Sequence, residues 1–204
     1  MNYQTVFENE LEKIGKLNYK PKLLLHACCA PCSSYVIEYL HEYFEITVFF
    51  YNPNIYPVTE YERRLNELIK FLKEFKYDQK INIIHEKYSH FEFANCASGF
   101  EAVKEGGERC FKCYELRLSK TAEKAKELEY DYFTTTLTIS PHKNSEKINE
   151  IGKKLSDIYG VKFLYSDFKK KNGFKRSLEL SEEYGLYRQN YCGCEYSMND
   201  RYQE

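Results

Sequence analysis

The chain has 204 residues, of which 43% are hydrophobic, and a formal net charge of −1. It can therefore bury the core of one ordinary domain, and its overall charge gives no sign of binding to a polyanion. No run approaches the roughly 20 apolar residues of a membrane helix, and residues 1–20 contain no apolar signal-peptide stretch. We expect a soluble cytoplasmic protein with reduced thiols, not a secreted chain held together by disulfides.

Apolar, β-branched runs alternate with segments of helical periodicity, which predicts an α/β fold with a parallel sheet. The predicted strands are residues 23–27, 46–51, 81–84, 132–137 and 161–165. Helices are predicted at residues 33–43, 59–75, from 110 onwards, from 144 or 145 onwards and at 177–184. We expect a single α/β domain over residues 21–204, a Rossmann-like three-layer structure with a mostly parallel open sheet flanked by helices. Residues 1–20 are predicted to be an extension that forms an amphipathic helix.

Two local features refine this prediction. Thr59 is a candidate N-cap for the second helix, and Asn144 or Ser145 for the fourth. Residues 89–109 contain three glycines and no clean period, which favours an excursion or lid ahead of the helix that begins near Cys110.

Seven of the eight cysteines fall into three tight clusters, whereas Cys96 stands apart. The clustered cysteines are Cys28, Cys29, Cys32, Cys110, Cys113, Cys192 and Cys194. A closed structural zinc site uses only four ligands, so seven thiols favour an iron–sulfur cluster with a second metal, or one centre with redox-active thiols beside it. The simplest division is four sulfurs for a [4Fe-4S] cluster and three for a mononuclear metal. A single closed zinc or cluster site with spare thiols is the alternative.

The position of these clusters in the predicted fold brings them to one edge of the sheet. The first cluster follows a predicted strand, and open α/β sheets bind ligands beyond the carboxyl ends of their strands. Cys110 and Cys113 begin a helix, whose N-terminus favours ionised sulfur, so these thiols are expected to ionise readily. Cys28 and Cys29 are adjacent in an extended segment and are expected to point in opposite directions, poorly placed to bind the same iron.

Short motifs spread along residues 21–197 resemble the QueH family of epoxyqueuosine reductases and occur in family order. They are LLHACCAPC at 24–32, FYNPNI at 50–55, EYxxR at 60–64, ERCxxC at 108–113, FTTTL at 133–137, SPxK at 140–143 and YGLYRQxYCGC at 184–194. Each motif is weak alone, but the combination is highly specific.

This resemblance implies reduction of the epoxide of epoxyqueuosine in tRNA to an alkene, the last step of queuosine formation. It also implies a [4Fe-4S] cluster with an adjacent mononuclear iron, held by the seven clustered cysteines, without assigning individual sulfurs to either metal. Removing the epoxide oxygen as water takes two electrons and two protons. We therefore expect the iron to polarise the epoxide oxygen, and the cluster to relay electrons from an external donor.

Further site residues follow from position along the chain. Arg188 and Gln189 precede Cys192 and must lie near the metals, and Tyr187 is a candidate proton donor together with Tyr191, His26 and Asp167. Asn52 and Asn54 follow a strand and could bind hydroxyl groups of the modified ring or ribose. Within the basic run at residues 169–176, Lys171, Lys175 and Arg176 are predicted to hold phosphates of the tRNA anticodon arm.

Two other functions compete with this prediction. A cluster-dependent tRNA thiolation enzyme would be expected to carry a glycine-rich phosphate loop after the first strand, where this chain has CCAPC. A zinc-stabilised RNA-binding module would bind RNA without consuming electrons.

Overall fold

A five-stranded sheet organises the computed structural model, which describes residues 2–76 and 80–202, with side chains through residue 199. The strand order is β3-β2-β1-β4-β5, and every neighbouring pair is parallel. The strands are β1 Lys22–His26, β2 Glu45–Phe50, β3 Asn82–His85, β4 Tyr132–Thr135 and β5 Lys162–Phe163. The predicted parallel α/β fold is confirmed.

Helices surround this sheet. They are α1 Tyr3–Ile14, α2 Ala30–Leu40, α3 Val58–Glu74, α4 His90–Ala97, α5 Glu108–Glu127, α6 Ser145–Tyr159, α7 Gly173–Glu183 and α8 Glu195–Tyr202, with a 3₁₀ turn at Thr136–Ile139. In the described parts of the chain, none of these helices has the length and apolar character needed to span a bilayer.

Both faces of the sheet are covered, as the continuous apolar strands require. Successive side chains of a strand point to opposite faces, and the leucines of β1 divide accordingly between two clusters. Leu23 and Leu25 pack with residues of α1, α2 and α3, whereas Leu24 packs with residues of α5 and α6. Burial on both faces is why β1 is apolar at every one of these positions.

The predicted helix within residues 1–20 is present as α1. Its residues Phe7, Leu11 and Ile14 are almost fully buried, and they join the same apolar cluster as Leu23 and Leu25. The spacing of these residues places them on one helical face. Residues 1–20 therefore contribute to the core on one side of the sheet.

Two of the local predictions need correction. Thr59 does not cap α3, because the helix already begins at Val58 after Pro57, which makes no side-chain capping bond. Residues 89–109 are not wholly irregular, since they include α4. Only two residues of this short helix, Phe93 and Ala97, are buried, too few to produce a recognisable period in the sequence. By contrast, Asn144 does cap α6, with its side chain accepting a hydrogen bond from the Lys147 amide.

Candidate metal centre and adjoining cleft

The first cysteine cluster lies at the carboxyl end of the central strand. After β1 ends at His26, the chain bends at Cys28 and enters α2. Cys29 is the N-cap of this helix, and its sulfur accepts a hydrogen bond from the Cys32 amide at 3.4 Å. Pro31 occupies the first turn, where its missing amide hydrogen is no loss. The strand end and helix start together hold three thiols in one place.

Cys28, Cys29 and Cys32 have sulfur atoms that all lie within 4.8 Å of one another, and the Cys28 and Cys29 sulfurs are 3.7 Å apart. This spacing suits three ligands of a single metal ion. The prediction that Cys28 and Cys29 are poorly placed to bind the same iron is therefore wrong. The alternation of a strand does not apply to them, because the strand has ended and the chain bends at Cys28.

The other four clustered cysteines line a small cavity together. They are Cys110, Cys113, Cys192 and Cys194. The first two come from the start of α5, where the Gly106 amide donates to the Cys110 sulfur at 3.2 Å. Cys194 precedes α8 and accepts a hydrogen bond from the Ser197 amide at 3.5 Å. Both pairs thus meet at helix N-termini, although they are far apart in sequence.

Gly193 lets the backbone between Cys192 and Cys194 lie close to the Arg64 side chain. Its φ of +126° is a conformation that residues with a side chain rarely adopt, and a Cβ there would lie 3.0 Å from Arg64 Nη1. Its carbonyl accepts a hydrogen bond from the Tyr56 amide at 2.8 Å. A residue with a side chain between Cys192 and Cys194 would therefore be strained in its backbone and would crowd Arg64.

The electrostatic environment of the thiols is uneven. Hydrogen bonds from Cys29 and Cys32 lower the pKa of Cys28 well below its ordinary value, and the charges of Arg117 and Lys143 also favour this thiolate. Burial raises the pKa of Cys29 to about 12. One thiol of this group is thus poised to ionise, and metal binding must displace protons from the others.

Burial also determines the direction in which the pKa values of the thiols at the start of α5 are shifted. It raises the pKa of Cys110 and raises the pKa of Cys113 to about 12. The prediction that the helix N-terminus makes them ionise readily is therefore wrong for the protein without metal, because desolvation outweighs the favourable effect of the helix end.

A cleft of about 500 Å³ adjoins the cysteines. Residues from the first and last cysteine segments, from α5 and from the loop before α6 form its walls, among them Cys28, Cys32, Arg117, Lys143, Arg188, Gln189, Tyr191 and Cys192. Cys192 lines both this cleft and the small cavity, so the two groups of thiols belong to one region. Such a cleft can bring a substrate directly beside the sulfurs.

Of the neighbouring candidates Tyr187, Arg188 and Gln189, the last two line this cleft. The Gln189 side chain donates to the Cys29 sulfur at 3.3 Å, and its buried Oε1 has no hydrogen-bond partner among the described residues. Arg188 is held by Ser181 Oγ at 3.0 Å. Tyr187 is not among the residues that line the cleft. Its hydroxyl is directed at Glu60, and its ring packs against the Arg63 guanidinium.

The two predicted asparagines are buried and are not among the residues that line the cleft. Asn52 Nδ2 donates to the Ala27 carbonyl at 2.8 Å, and its Oδ1 accepts from Arg117 at 2.7 Å. Both polar ends of Asn52 are therefore engaged within the protein. Asn54 borders the small cavity between the four cysteines, and its buried Oδ1 has no partner in the described structure.

Lys171, Lys175 and Arg176 of the basic segment are not among the residues that line the cleft, although Phe174 and Ser177 beside them are. Lys171 pairs with Glu8, Lys175 lies 3.9 Å from Glu179, and Arg176 Nη2 lies 2.6 Å from Glu38. The two lysine pairs are at the surface, where an ion pair adds little stability, whereas Arg176 donates two hydrogen bonds to the partly buried Glu38 carboxylate.

The three remaining proton-donor candidates differ in whether they line the cleft. His26 is fully buried, and burial, followed by the charge of Arg117, lowers its pKa to about 3. Asp167 pairs with Lys169 at 2.6 Å. Neither residue lines the cleft, whereas Tyr191 does.

Sequence reasoning missed two cations at this site. Arg117 is 2% exposed, and Nη1 lies 3.9 Å from the Cys113 sulfur. Lys143 lines the cleft. Burial lowers its pKa, but the nearby sulfurs of Cys192, Cys28 and Cys32 have the greater effect and raise it above its ordinary value. Lys143 is the last residue of the SPxK motif, so the motif could have indicated it. Arg117 lies outside the quoted motifs, and the sequence around it does not indicate that it is buried.

Comparison with known proteins identifies the family. The family model described as Epoxyqueuosine reductase QueH matches residues 23–200. The chain belongs to this family. A QueH protein of Streptococcus pyogenes serotype M1 is 46% identical over 199 residues, covering 97% of this chain and 78% of the relative. The QueH protein of Thermotoga maritima is 37% identical over 182 residues, covering 88% and 91% respectively.

A solved structure is also similar to this QueH family member. It is the U34-tRNA thiolase NcsA from Methanococcus maripaludis with its [4Fe-4S] cluster, with a TM-score of 0.48 and 15% identity. The match covers 96% of this chain and 68% of that chain. Family membership therefore rests on the QueH relatives.

Proposed function

We propose that this chain is an epoxyqueuosine reductase that acts on tRNA and uses an iron–sulfur centre. The reaction adds two electrons and two protons, breaks both carbon–oxygen bonds of the epoxide, and yields an alkene and water. The observation that carries this proposal is the meeting of seven cysteines beside a cleft, in a chain that belongs to the QueH family. An external donor must supply the electrons.

The donor set fits a thiolate-ligated centre. The three sulfurs of Cys28, Cys29 and Cys32 are close enough to hold one ion, and the four cysteines of the small cavity offer the number of ligands that a [4Fe-4S] cluster takes. Arg117 and Lys143 add positive charge beside these sulfurs, which favours their ionised form. When bound, the cluster and iron supply electron transfer and a Lewis acid.

The chain's own residues then bind and orient the substrate. Lys143 can donate a hydrogen bond to the epoxide oxygen, because it lines the cleft close to the sulfurs. Gln189 Oε1, which has no hydrogen-bond partner among the described residues, can accept from a substrate hydroxyl, and Arg188 can bind a phosphate or ribose oxygen at the cleft wall. Asn54 Oδ1, also without a partner in the described structure, is a further acceptor beside the four cysteines.

Tyr187 and Asn52 take supporting roles in this proposal. Tyr187 packs between Arg63 and Glu60, which positions the segment that carries Arg188 and Gln189. Asn52 holds Arg117 through a hydrogen bond of 2.7 Å. Each acts on the reaction through its neighbour.

The tRNA would contact the basic segment with its anticodon arm. Phosphate groups can replace the carboxylates that pair with Lys171 and Lys175, because these exposed pairs are weak. Arg176 would exchange its two hydrogen bonds to Glu38 for hydrogen bonds to a phosphate. The modified base would leave the stack and enter the cleft.

Anaerobic purification followed by iron and acid-labile sulfide analysis is the first test. We expect about five irons and four sulfides per chain, the content of a [4Fe-4S] cluster with one additional iron. With a chemical reductant, the purified protein should convert epoxyqueuosine tRNA to queuosine tRNA, a loss of one oxygen detectable by mass spectrometry of the nucleosides. Zinc without sulfide would contradict the proposal and favour the RNA-binding module, and a gain of sulfur in the tRNA would favour thiolation.

A further inference from the structure

Three arginines of the described chain are almost fully buried, and they differ in what compensates their charge. Arg64, Arg109 and Arg117 are 1%, 2% and 2% exposed. Arg64 Nε donates to the Glu60 carboxylate at 2.7 Å, and Arg109 donates to the Glu101 carbonyl at 2.8 Å and to two other carbonyl oxygens.

Arg117 has neither arrangement. Nη2 donates to Asn52 Oδ1 at 2.7 Å, Nε lies 3.4 Å from His26 Nε2, and Nη1 lies 3.9 Å from the Cys113 sulfur. Within the described residues, no carboxylate forms a salt bridge with Arg117. Its hydrogen-bond partners Asn52 and His26 carry no negative charge.

A buried guanidinium without a counter-charge is costly, because arginine does not lose its proton in proteins. The groups that can provide negative charge here are the sulfurs of Cys113, Cys28 and Cys192, which act on Arg117 from both groups of thiols. These sulfurs become anionic when they bind metal. The fold therefore places a permanent positive charge where a negative centre would form.

We infer that Arg117 is the counter-charge of the thiolate-ligated metal centre and raises its reduction potential. This inference rests on the proposed function. A positive charge nearby stabilises the reduced, more negative state of a cluster, and net charge is one of the factors that set cluster potentials. Arg117 thus acts on the reaction through the centre, making it easier to reduce by the external donor.

Two substitutions separate the charge of Arg117 from its hydrogen bonds. Arg117→Met keeps a long apolar stem and loses the charge, whereas Arg117→Lys keeps the charge and loses the planar fork that reaches Asn52 and His26. Lys126→Gln removes a positive charge from an exposed position on α5, the helix that also carries Arg117, and serves as the control. Each protein is purified anaerobically, and its iron, sulfide and midpoint potential are measured by redox titration.

We expect Arg117→Met to shift the reduction equilibrium at least ten-fold towards the oxidised state, about 59 mV for a one-electron couple. Arg117→Lys and Lys126→Gln should stay close to the parent potential. If Arg117→Met retains no cluster, the comparison rests on metal content, and Arg117→Lys must still retain the cluster. Equal loss in both variants would show a structural role for the hydrogen bonds and overturn the inference.

The failures of the two proposals are distinguishable. A parent protein without iron and sulfide defeats the proposed function and this inference with it. A parent protein with cluster and reductase activity, together with an unchanged potential in Arg117→Met, defeats the role of Arg117 alone.

Discussion

At the scale of single residues, the position of a cysteine relative to the site decides its expected role. Cys110 lines the small cavity with three other clustered cysteines, whereas Cys96 on α4 is not among the cysteines that line the cavity or the cleft. The two thiols lie only 14 residues apart in the sequence, so they form a matched pair for testing the ligand set.

Cys110→Ala should lose the visible absorbance of the cluster and the reductase activity together, because one ligand is removed. Cys96→Ala should retain both. Absorbance spectra, iron content and turnover of epoxyqueuosine tRNA would be measured side by side for the two variants. Bleaching of the centre in Cys96→Ala would mean that the ligand set is wrong.

Gly193 makes a second prediction at this scale. Gly193→Ala would place an alanine at a φ of +126°, with its Cβ 3.0 Å from Arg64 Nη1. The backbone strain would cost about 1–3 kcal/mol, and the close contact with Arg64 would add to it. The expected result is lower stability together with reduced iron content, since the strain falls between two proposed ligands.

Gly160→Ala is the control for Gly193→Ala. Gly160 also has a positive φ, +73°, but nothing lies within 4 Å of the added Cβ. It ends α6 away from the cleft lining. We expect it to lower the thermal unfolding temperature while the iron content stays at the parent level. Iron loss of equal size in both variants would refute a local effect at Gly193.

At the scale of elements, α1 illustrates how an apparent extension becomes part of the core. The helical spacing of its apolar residues is visible in the sequence, but the surface that they cover is not. Phe7 packs edge-on against Phe168 and Tyr39, with ring centroids 5.5 Å apart in each case. The helix therefore joins segments that lie far apart along the chain.

Phe7→Ala should destabilise the protein by about 3–5 kcal/mol, the range for removing a buried aromatic ring. Phe91→Ala removes the same atoms from a residue that is 71% exposed and should change the unfolding free energy by less than about 0.5 kcal/mol. Denaturant unfolding of both variants would test this. Similar effects of the two substitutions would show that α1 does not stabilise the core as described.

At the scale of the whole molecule, the balanced net charge conceals an uneven surface. The formal charge of −1 gives no indication of a polyanionic substrate. The basic segment nevertheless concentrates positively charged residues near the start of α7, beside Phe174 and Ser177 of the cleft lining. A tRNA held by this segment would thus have its modified base close to the cleft.

Replacing Lys171, Lys175 and Arg176 together by glutamine should weaken tRNA binding. The slope of log affinity against log salt should become shallower by roughly 0.7–0.9 for each phosphate that the protein no longer neutralises. Iron content should not change. Exposed Lys70, Lys73 and Lys126, replaced together by glutamine, remove the same number of charges elsewhere. An equal effect of the two triple variants on the slope would argue against a specific phosphate-binding segment.

Much of the fold was predictable from the sequence because hydrophobic periodicity is local. The five strands, their parallel arrangement, the helix in residues 1–20 and the Asn144 cap all depend on residues close together in the chain. Element ends were less predictable. The strand predicted at residues 132–137 gives way to a 3₁₀ turn at Thr136, where Thr135 caps the turn by accepting a hydrogen bond from the Leu137 amide.

By itself, the sequence determined the α/β class, the family and the set of clustered cysteines, since these follow from local patterns and ordered motifs. The tertiary structure alone decided that Cys28 and Cys29 face a common site, that burial suppresses ionisation of Cys113, and that Arg117 lies beside both groups of thiols. These properties depend on which distant segments meet at the carboxyl edge of the sheet. Desolvation and charge compensation arise only from that meeting, so no local pattern encodes them.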